Sequence, residues 1–256
     1  MEKVEIGIEG LDKCLEGGIP KGNVVLVSGG AGTGKSTLCL QYLMNGAKNG
    51  EKSLYITTEQ TKEELYRLAR GFGWDLERLE RRGMLEIFYL DILEERNFIT
   101  ALERKISEFN PDRIAIDSMT TLTDTLTITD FKDKTAFSMV EVMENVVPTP
   151  MSEKIITKNV LYSLIGKLRK ETTATVILTS ELRDGEKGLS ADGVSEFICD
   201  GVIVMHYLGI GGFDSRSLVI RKMRYTNHQK SYVPYEIMHG QGVVVHSDEA
   251  MAVLMK

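Results

Sequence analysis

Short apolar runs rich in β-branched residues recur along the chain: NVVLVS at Asn23–Ser28, SLYIT at Ser53–Thr57, LEIFYL at Leu85–Leu90, RIAID at Arg113–Asp117 and TATVILTS at Thr173–Ser180. Runs of this length that are continuous rather than alternating belong to strands covered on both faces, as in a parallel sheet. Between them the apolar positions take a helical period, predicting helices over Ser36–Lys48, Lys62–Arg70 and Phe98–Phe109. Thr61 and Glu64 have the spacing of a capping box at the start of the second, and Pro111 terminates the third. Strand and helix in alternation predict a doubly wound α/β domain built on a mostly parallel twisted sheet. After Asp200 the pattern changes. GVIVMHY and SLVIRKM read as strands separated by GIGGFDSRS as a loop, and YEIMHGQGVVVH reads as a hairpin, so the sheet is expected to end in an antiparallel extension.

No repeat, low-complexity tract or linker marks a second domain, and 256 residues suit one large α/β domain spanning 1–256. The segment 124–158 stands apart as an insertion. It begins threonine-rich, carries a helical pattern with Phe137, Val140, Met143 and Val147 on one side, and ends at Pro148–Pro150. A surface helix packed on the domain is one reading, and a lid, nucleic-acid loop or subunit contact is the other.

Composition narrows the class. With 42% apolar and 27% charged residues the chain can bury a sizeable core, and its net charge of −6 supplies no basic field to gather nucleic acid or anionic lipid. Cys14, Cys39 and Cys199 are too scattered for a disulfide framework or zinc site. No apolar run approaches the roughly 18 residues that span a bilayer. The expectation is a cytoplasmic protein with no membrane partner.

The chemistry begins at Gly29-Gly30-Ala31-Gly32-Thr33-Gly34-Lys35-Ser36, which has the spacing G-x-x-x-x-G-K-S and lies between a predicted strand and a predicted helix. Glycines let backbone N–H groups turn inward around a phosphate, a lysine neutralises the β- and γ-oxygens, and the serine hydroxyl can ligate Mg²⁺. Gly30 through Thr37 are thus the candidate nucleotide-binding residues, with ATP and Mg²⁺ as the expected cofactors. Asp117, ending the run Ile114–Ile116, is placed to hold the metal with Ser36, and Glu59, just past Thr57, lies where a water-orienting carboxylate is needed. Asp117 could instead serve a turn or cap a helix, and Glu59 could be a helix N-terminal charge. Lys222 and Arg224 follow the apolar residues Leu218–Ile220, one residue apart, and could meet one anion. The alternative is edge-strand charges that discourage aggregation.

Together with GIEGLDKCLEGGIPKG before the first strand, SGGAGTGKST, ITTEQ, ARGFGWDL, IDSMT, VILTSE and RKMRYTNHQK, these motifs make the chain resemble a single-domain member of the KaiC-like branch of the RecA ATPase superfamily over nearly its full length. The resemblance implies a RecA-like fold and a homo-oligomer, a hexamer, with nucleotide at its subunit interfaces. It makes Glu59 and Lys35 catalytic. It makes Lys222 and Arg224 a finger that reaches the γ-phosphate from a neighbouring subunit, with Thr226 and His228 contacting the same nucleotide. Three departures matter. The family's second glutamate after the second strand is Gln60, which bears on the rate of hydrolysis. The autophosphorylated Ser-Thr pair of KaiC falls on Glu196-Phe197, so no autokinase is implied. The family's glycine between the arginine and the threonine is Tyr225.

The leading expectation is therefore an ATPase whose nucleotide state regulates a partner. A RecA-like recombination accessory binding single-stranded DNA is the alternative, with loops at 124–158 and Arg183–Ser190. Against it, the first segment mixes Lys132, Lys134, Lys154 and Lys158 with Asp130, Asp133, Glu141, Glu144 and Glu153. A nucleotide-bound scaffold with little turnover is the third reading, and it rests on Gln60.

Overall fold

The structure is a computed structural model and describes residues 1–92, 98–128, 149–182, 188–210 and 213–247. All five apolar runs form strands: β3 (Val24–Gly29), β4 (Ser53–Thr57), β5 (Leu85–Tyr89), β6 (Arg113–Asp117) and β7 (Thr175–Glu181). They are preceded by a two-stranded ribbon of β1 (Lys3–Val4) and β2 (Ile19–Pro20) and followed by β8 (Gly201–Ile210), β9 (Phe213–Met223), β10 (Val233–Met238) and β11 (Gly242–Val245). One sheet takes the order β11-β10-β9-β8-β3-β7-β6-β4-β5. From β8 to β5 every pair is parallel, and from β8 to β11 every pair is antiparallel, as the change of pattern after Asp200 predicts.

The helices divide between the two faces. On one lie α1 (Glu9–Cys14), α2 (Lys35–Lys48), α3 (Lys62–Gly71) and α4 (Leu76–Arg81), burying Leu11, Leu38, Leu43, Leu65 and Leu79 against Val25, Val27, Tyr55 and Ile203. On the other, α5 (Phe98–Phe109), α6 (Met119–Ile128), α7 (Thr149–Glu171) and α8 (Ser195–Ile198) bring Leu102, Leu122, Ile165 and Ile198 onto Leu26, Ile56, Ile114 and Val204. Alternate residues of each strand serve alternate faces, so the central strands need the continuous apolar runs seen in the sequence. Among the described residues no helix is long and apolar enough to cross a membrane.

The structure corrects one reading. The stretch 209–217, expected as a loop, is mostly ladder: Leu208 pairs with Ser215, Gly209 with Asp214 and Ile210 with Phe213, leaving residues 211–212 outside the described set. Cross-strand pairing carries the ladder through Gly209 on one strand and the polar residues Asp214–Ser217 on the other, against their local turn preference. The strand β9 is flanked by β8 along its length and by β10 only over Arg216–Leu218, so Lys222 and Arg224 lie beyond the stretch that β10 covers. Of the segment 124–158, the first residues continue α6 and the last begin α7, whereas 129–148, including Phe137 to Val147, lie outside the described residues.

Arg113 ties several elements together. Its side chain is buried, donating to Glu51, to the Glu5 and Tyr42 carbonyls at 2.6 and 3.0 Å, and stacking over the Tyr42 ring. Gly46 in α2 makes room for it, because a Cβ there would lie 2.4 Å from Arg113 Cδ.

Candidate functional site

The carboxyl ends of β3, β7, β6 and β4 line up along one rim: Gly29 pairs with Glu181, and Thr57 with Asp117. The neighbours of β3 are β8 and β7, while the next strand in sequence, β4, lies beyond β6. The turn after β3 therefore opens at a point where the strand order reverses, the usual place for a ligand in an open α/β sheet.

That turn is Gly30–Gly34. Gly34 caps α2 in the left-handed region at φ 95°, and a Cβ on it would lie 2.7 Å from Ile237 Cδ1. Tyr235 of the antiparallel extension donates its hydroxyl to the Thr33 carbonyl at 2.6 Å, and Thr33 Oγ1 donates to the Gly30 carbonyl at 2.9 Å. No side chain caps α2, so the N–H groups of its first turn stay available to an anion, with the helix dipole behind them.

Lys35 is 8% exposed and donates to the Gly29 and Gly30 carbonyls at 2.9 and 3.0 Å, with the Glu181 carboxylate 3.8 Å away. From the next residue, Ser36 Oγ donates to Asp117 Oδ2 at 2.6 Å. Asp117 also accepts from Tyr55 at 2.6 Å and from Thr179. Burial, and after it the charge of Asp117, pushes the Tyr55 phenol well above its ordinary range, so it remains a donor. Glu59 accepts from Ser118 and Thr121 at the adjacent strand end. Gln60 beside it has a buried Oε1 without a hydrogen-bond partner among the described residues.

The structure thus brings Lys35, Ser36, Asp117 and Glu59 to one rim, and it does not bring Lys222 and Arg224 there. Met223 pairs with Gly201 while Gly29 pairs with Met205. Arg224 donates to Asp200 at 2.9 Å, and Asp200 in turn accepts from the Val24 N–H at the opposite end of β3. Five residues of strand, roughly 16 Å, separate this cluster from the phosphate loop of the same chain. Lys222 donates to the Glu196 and Phe197 carbonyls, and burial, followed by the charge of Arg224, holds its ammonium below the ordinary lysine range. Thr226 and His228 follow in the β9–β10 connection. Thr226 Oγ1 is buried without a partner among the described residues, and His228 Nδ1 lies 2.9 Å from the Gln229 carbonyl. Tyr225 has φ 66°, so it occupies the conformation for which the family's glycine is suited.

Sequence reading missed Tyr55 and Thr179. Each is one of several hydroxyl residues in its strand, beside Ser53 and Thr57 in β4 and Thr175 and Ser180 in β7, so nothing local singles it out.

A phosphate loop between the central strand and its helix, with an acidic residue at the end of a strand one further across, defines a RecA-like α/β nucleotide-binding protein. The KaiC ATPase family model matches residues 4–151 and again 142–250. A UPF0273 protein of Pyrococcus furiosus is 31% identical over 268 residues, covering 98% of this chain and 96% of that one. The circadian clock oscillator protein KaiC of Synechococcus elongatus is 30% identical over 252 residues, which cover 93% of this chain and 43% of KaiC. The crystal structure of a KaiC-like protein from Pyrococcus horikoshii superposes with a TM-score of 0.77 at 33% identity, covering 96% of this chain and 99% of that one. The chain belongs to the KaiC-like family of RecA-superfamily ATPases.

Proposed function

We propose that the chain, as one ATPase domain with an insertion at 124–158, binds ATP with Mg²⁺ and hydrolyses it in a homo-oligomer, a hexamer, as a regulatory ATPase without autokinase activity. The observation that carries this is the meeting of an uncapped α2 N-terminus, the Lys35 ammonium and the Ser36–Asp117 pair on one rim.

The donor set fits the metal. Ser36 and Asp117 offer hard oxygens, and Mg²⁺ is ordinarily held by one or two carboxylates together with substrate phosphates. When bound, the ion would be held by Ser36 and Asp117 and would supply positive charge to offset that of the phosphates. The backbone of Gly30–Gly34 and the first turn of α2, Lys35 through Thr37, would grip the phosphates. Lys35 would exchange its two carbonyl partners for phosphate oxygens, and Glu59, held by Ser118 and Thr121, would orient the attacking water. Gln60 cannot take up a proton in the second glutamate's place, which makes turnover slow.

The remaining cations reach a nucleotide in a second copy. Arg224 and Arg169 both donate to the carboxylate of Asp200, and Lys222 donates nearby to the Glu196 and Phe197 carbonyls, which gathers three cations far from the chain's own phosphate loop. A neighbouring subunit's triphosphate is the anion that suits them, and Thr226 and His228 lie in the same connection. A reducing cytoplasm fits Cys14, Cys39 and Cys199, all buried and none in a disulfide.

Binding is tested by Lys35→Ala. Removing the point charge while keeping the backbone cradle should abolish tight binding of a fluorescent ATP analogue, and wild-type affinity in the variant would overturn the assignment.

A further inference from the structure

We propose that Tyr55 and Thr179 are positioning residues that lock the Asp117 carboxylate for a divalent cation. The inference rests on reading Ser36 and Asp117 as the metal pair. It assigns a role to two hydroxyls that hold the carboxylate from the neighbouring strands.

Asp117 ends β6 and is 6% exposed, with β4 on one side and β7 on the other. From β7, Thr179 Oγ1 donates to Oδ1. From β4, Tyr55 Oη donates to Oδ2 at 2.6 Å. Each carboxylate oxygen therefore has its own donor, fixed to a different strand of a rigid sheet, and both donors are fully buried. Rotating the carboxylate would break both bonds at once. The third donor, Ser36 Oγ on Oδ2, comes from α2 on the phosphate side. The two sheet hydroxyls hold Asp117, and the Ser36 side is left facing the ligand.

Packing alone does not call for these hydroxyls, because Phe and Val side chains would fill the same volumes. Mg²⁺ tolerates little departure from octahedral geometry. A carboxylate held on both oxygens loses no orientational freedom when it ligates, and partners that orient metal ligands typically contribute 10- to 100-fold in metal affinity. The competing explanation is that the hydroxyls only satisfy a buried carboxylate. That role would change thermal stability without changing the metal requirement, so the two can be separated.

The experiment titrates MgCl₂ into the protein with a fluorescent ATP analogue and reads the half-saturating Mg²⁺ concentration, with a parallel binding measurement in EDTA and a melting curve for each variant. Tyr55→Phe and Thr179→Val should each raise half-saturation about 10-fold or more, leave binding in EDTA unchanged, and melt cooperatively. Thr179→Ser keeps the donor and should stay near wild type. Were Thr179→Val not to fold, Tyr55→Phe would carry the same test on the other oxygen. Half-saturation within twofold of wild type in the folded variants would overturn the proposal. A wild type with no Mg²⁺ dependence, or Asp117→Ala indistinguishable from it, would instead overturn the metal reading, and the positioning role with it.

Discussion

Glu59 shows how much a single side chain depends on its neighbours here. Its carboxylate is exposed to the rim, yet Ser118 and Thr121 both donate to the same Oε1, so one oxygen is anchored and the other faces outward. Glu59→Gln should keep ATP bound and reduce turnover by about 10² to 10⁴, the range that a positioned base or water-orienting group supplies. Phosphate release and nucleotide affinity measured on the same sample check this, and unchanged turnover would move the role to Glu181. Asp12 is a different case. It accepts from the Ile6, Gly7 and Ile8 N–H groups at 2.7, 3.0 and 3.1 Å, pinning the N-terminal segment, but burial outweighs those bonds and pushes its carboxyl up to about 6. The folded state then holds the proton more tightly than the unfolded chain, whose aspartate titrates near 3.9. The resulting stability is complete below about pH 4 and lost as pH rises through about 6, amounting to about 2–3 kcal/mol. Urea unfolding from pH 4 to 7.5 should show wild type losing that much relative to Asp12→Asn, and a constant difference between the two would exclude Asp12 as the group responsible.

At the scale of elements, α3 was legible because its signals are local. Thr61 accepts from the Glu64 N–H, and Glu64 reaches back to the Thr61 N–H at 2.8 Å, as the spacing of the two residues predicts. The helix α2 is harder to read, since Gly46 within it looks like a weakness by propensity alone. Replacing it with alanine gains about 1 kcal/mol of helix preference. It also drives a methyl into Arg113, which cannot move aside without breaking its bonds to Glu51, Glu5 and Tyr42. Overpacking costs about 1–3 kcal/mol, and disturbing a buried charge adds to it. Gly46→Ala should therefore destabilise by about 1–3 kcal/mol in a thermal or urea melt, and a stabilised variant would show that Arg113 is free to shift.

At the scale of the whole molecule, the two ends of the sheet hold complementary halves of one proposed machine. The phosphate loop lies at the carboxyl end of β3, and Arg224 sits beyond its amino end, held by Asp200. Arg224→Ala should fold, bind ATP with modestly reduced affinity and hydrolyse it poorly, because a finger acting in trans contributes roughly 10³ to 10⁵ in rate in other phosphoryl-transfer systems. Mixing it with Glu59→Gln should restore part of the activity, since some interfaces would then join an intact rim to an intact finger. Activity equal to the sum of the separate variants, or specific activity independent of concentration in a demonstrated monomer, would remove the trans arrangement.

The layered α/β architecture and the glycine-rich loop were both legible in consecutive residues. Continuous apolar runs require strands covered on both faces, and the loop Gly29–Ser36 needs its glycines wherever the chain places it, so both are written in consecutive residues. Strand order is not. That Asp117 lies two strands from the loop, with β7 between, depends on which strands pair, and this alone brings Thr179 and Tyr55 to its two oxygens. The separation of Arg224 from its own phosphate loop likewise follows from the antiparallel return of β9, a long-range pairing with no local signature. Chemistry between consecutive residues was legible, and chemistry between residues that meet only across the sheet was decided by the tertiary structure.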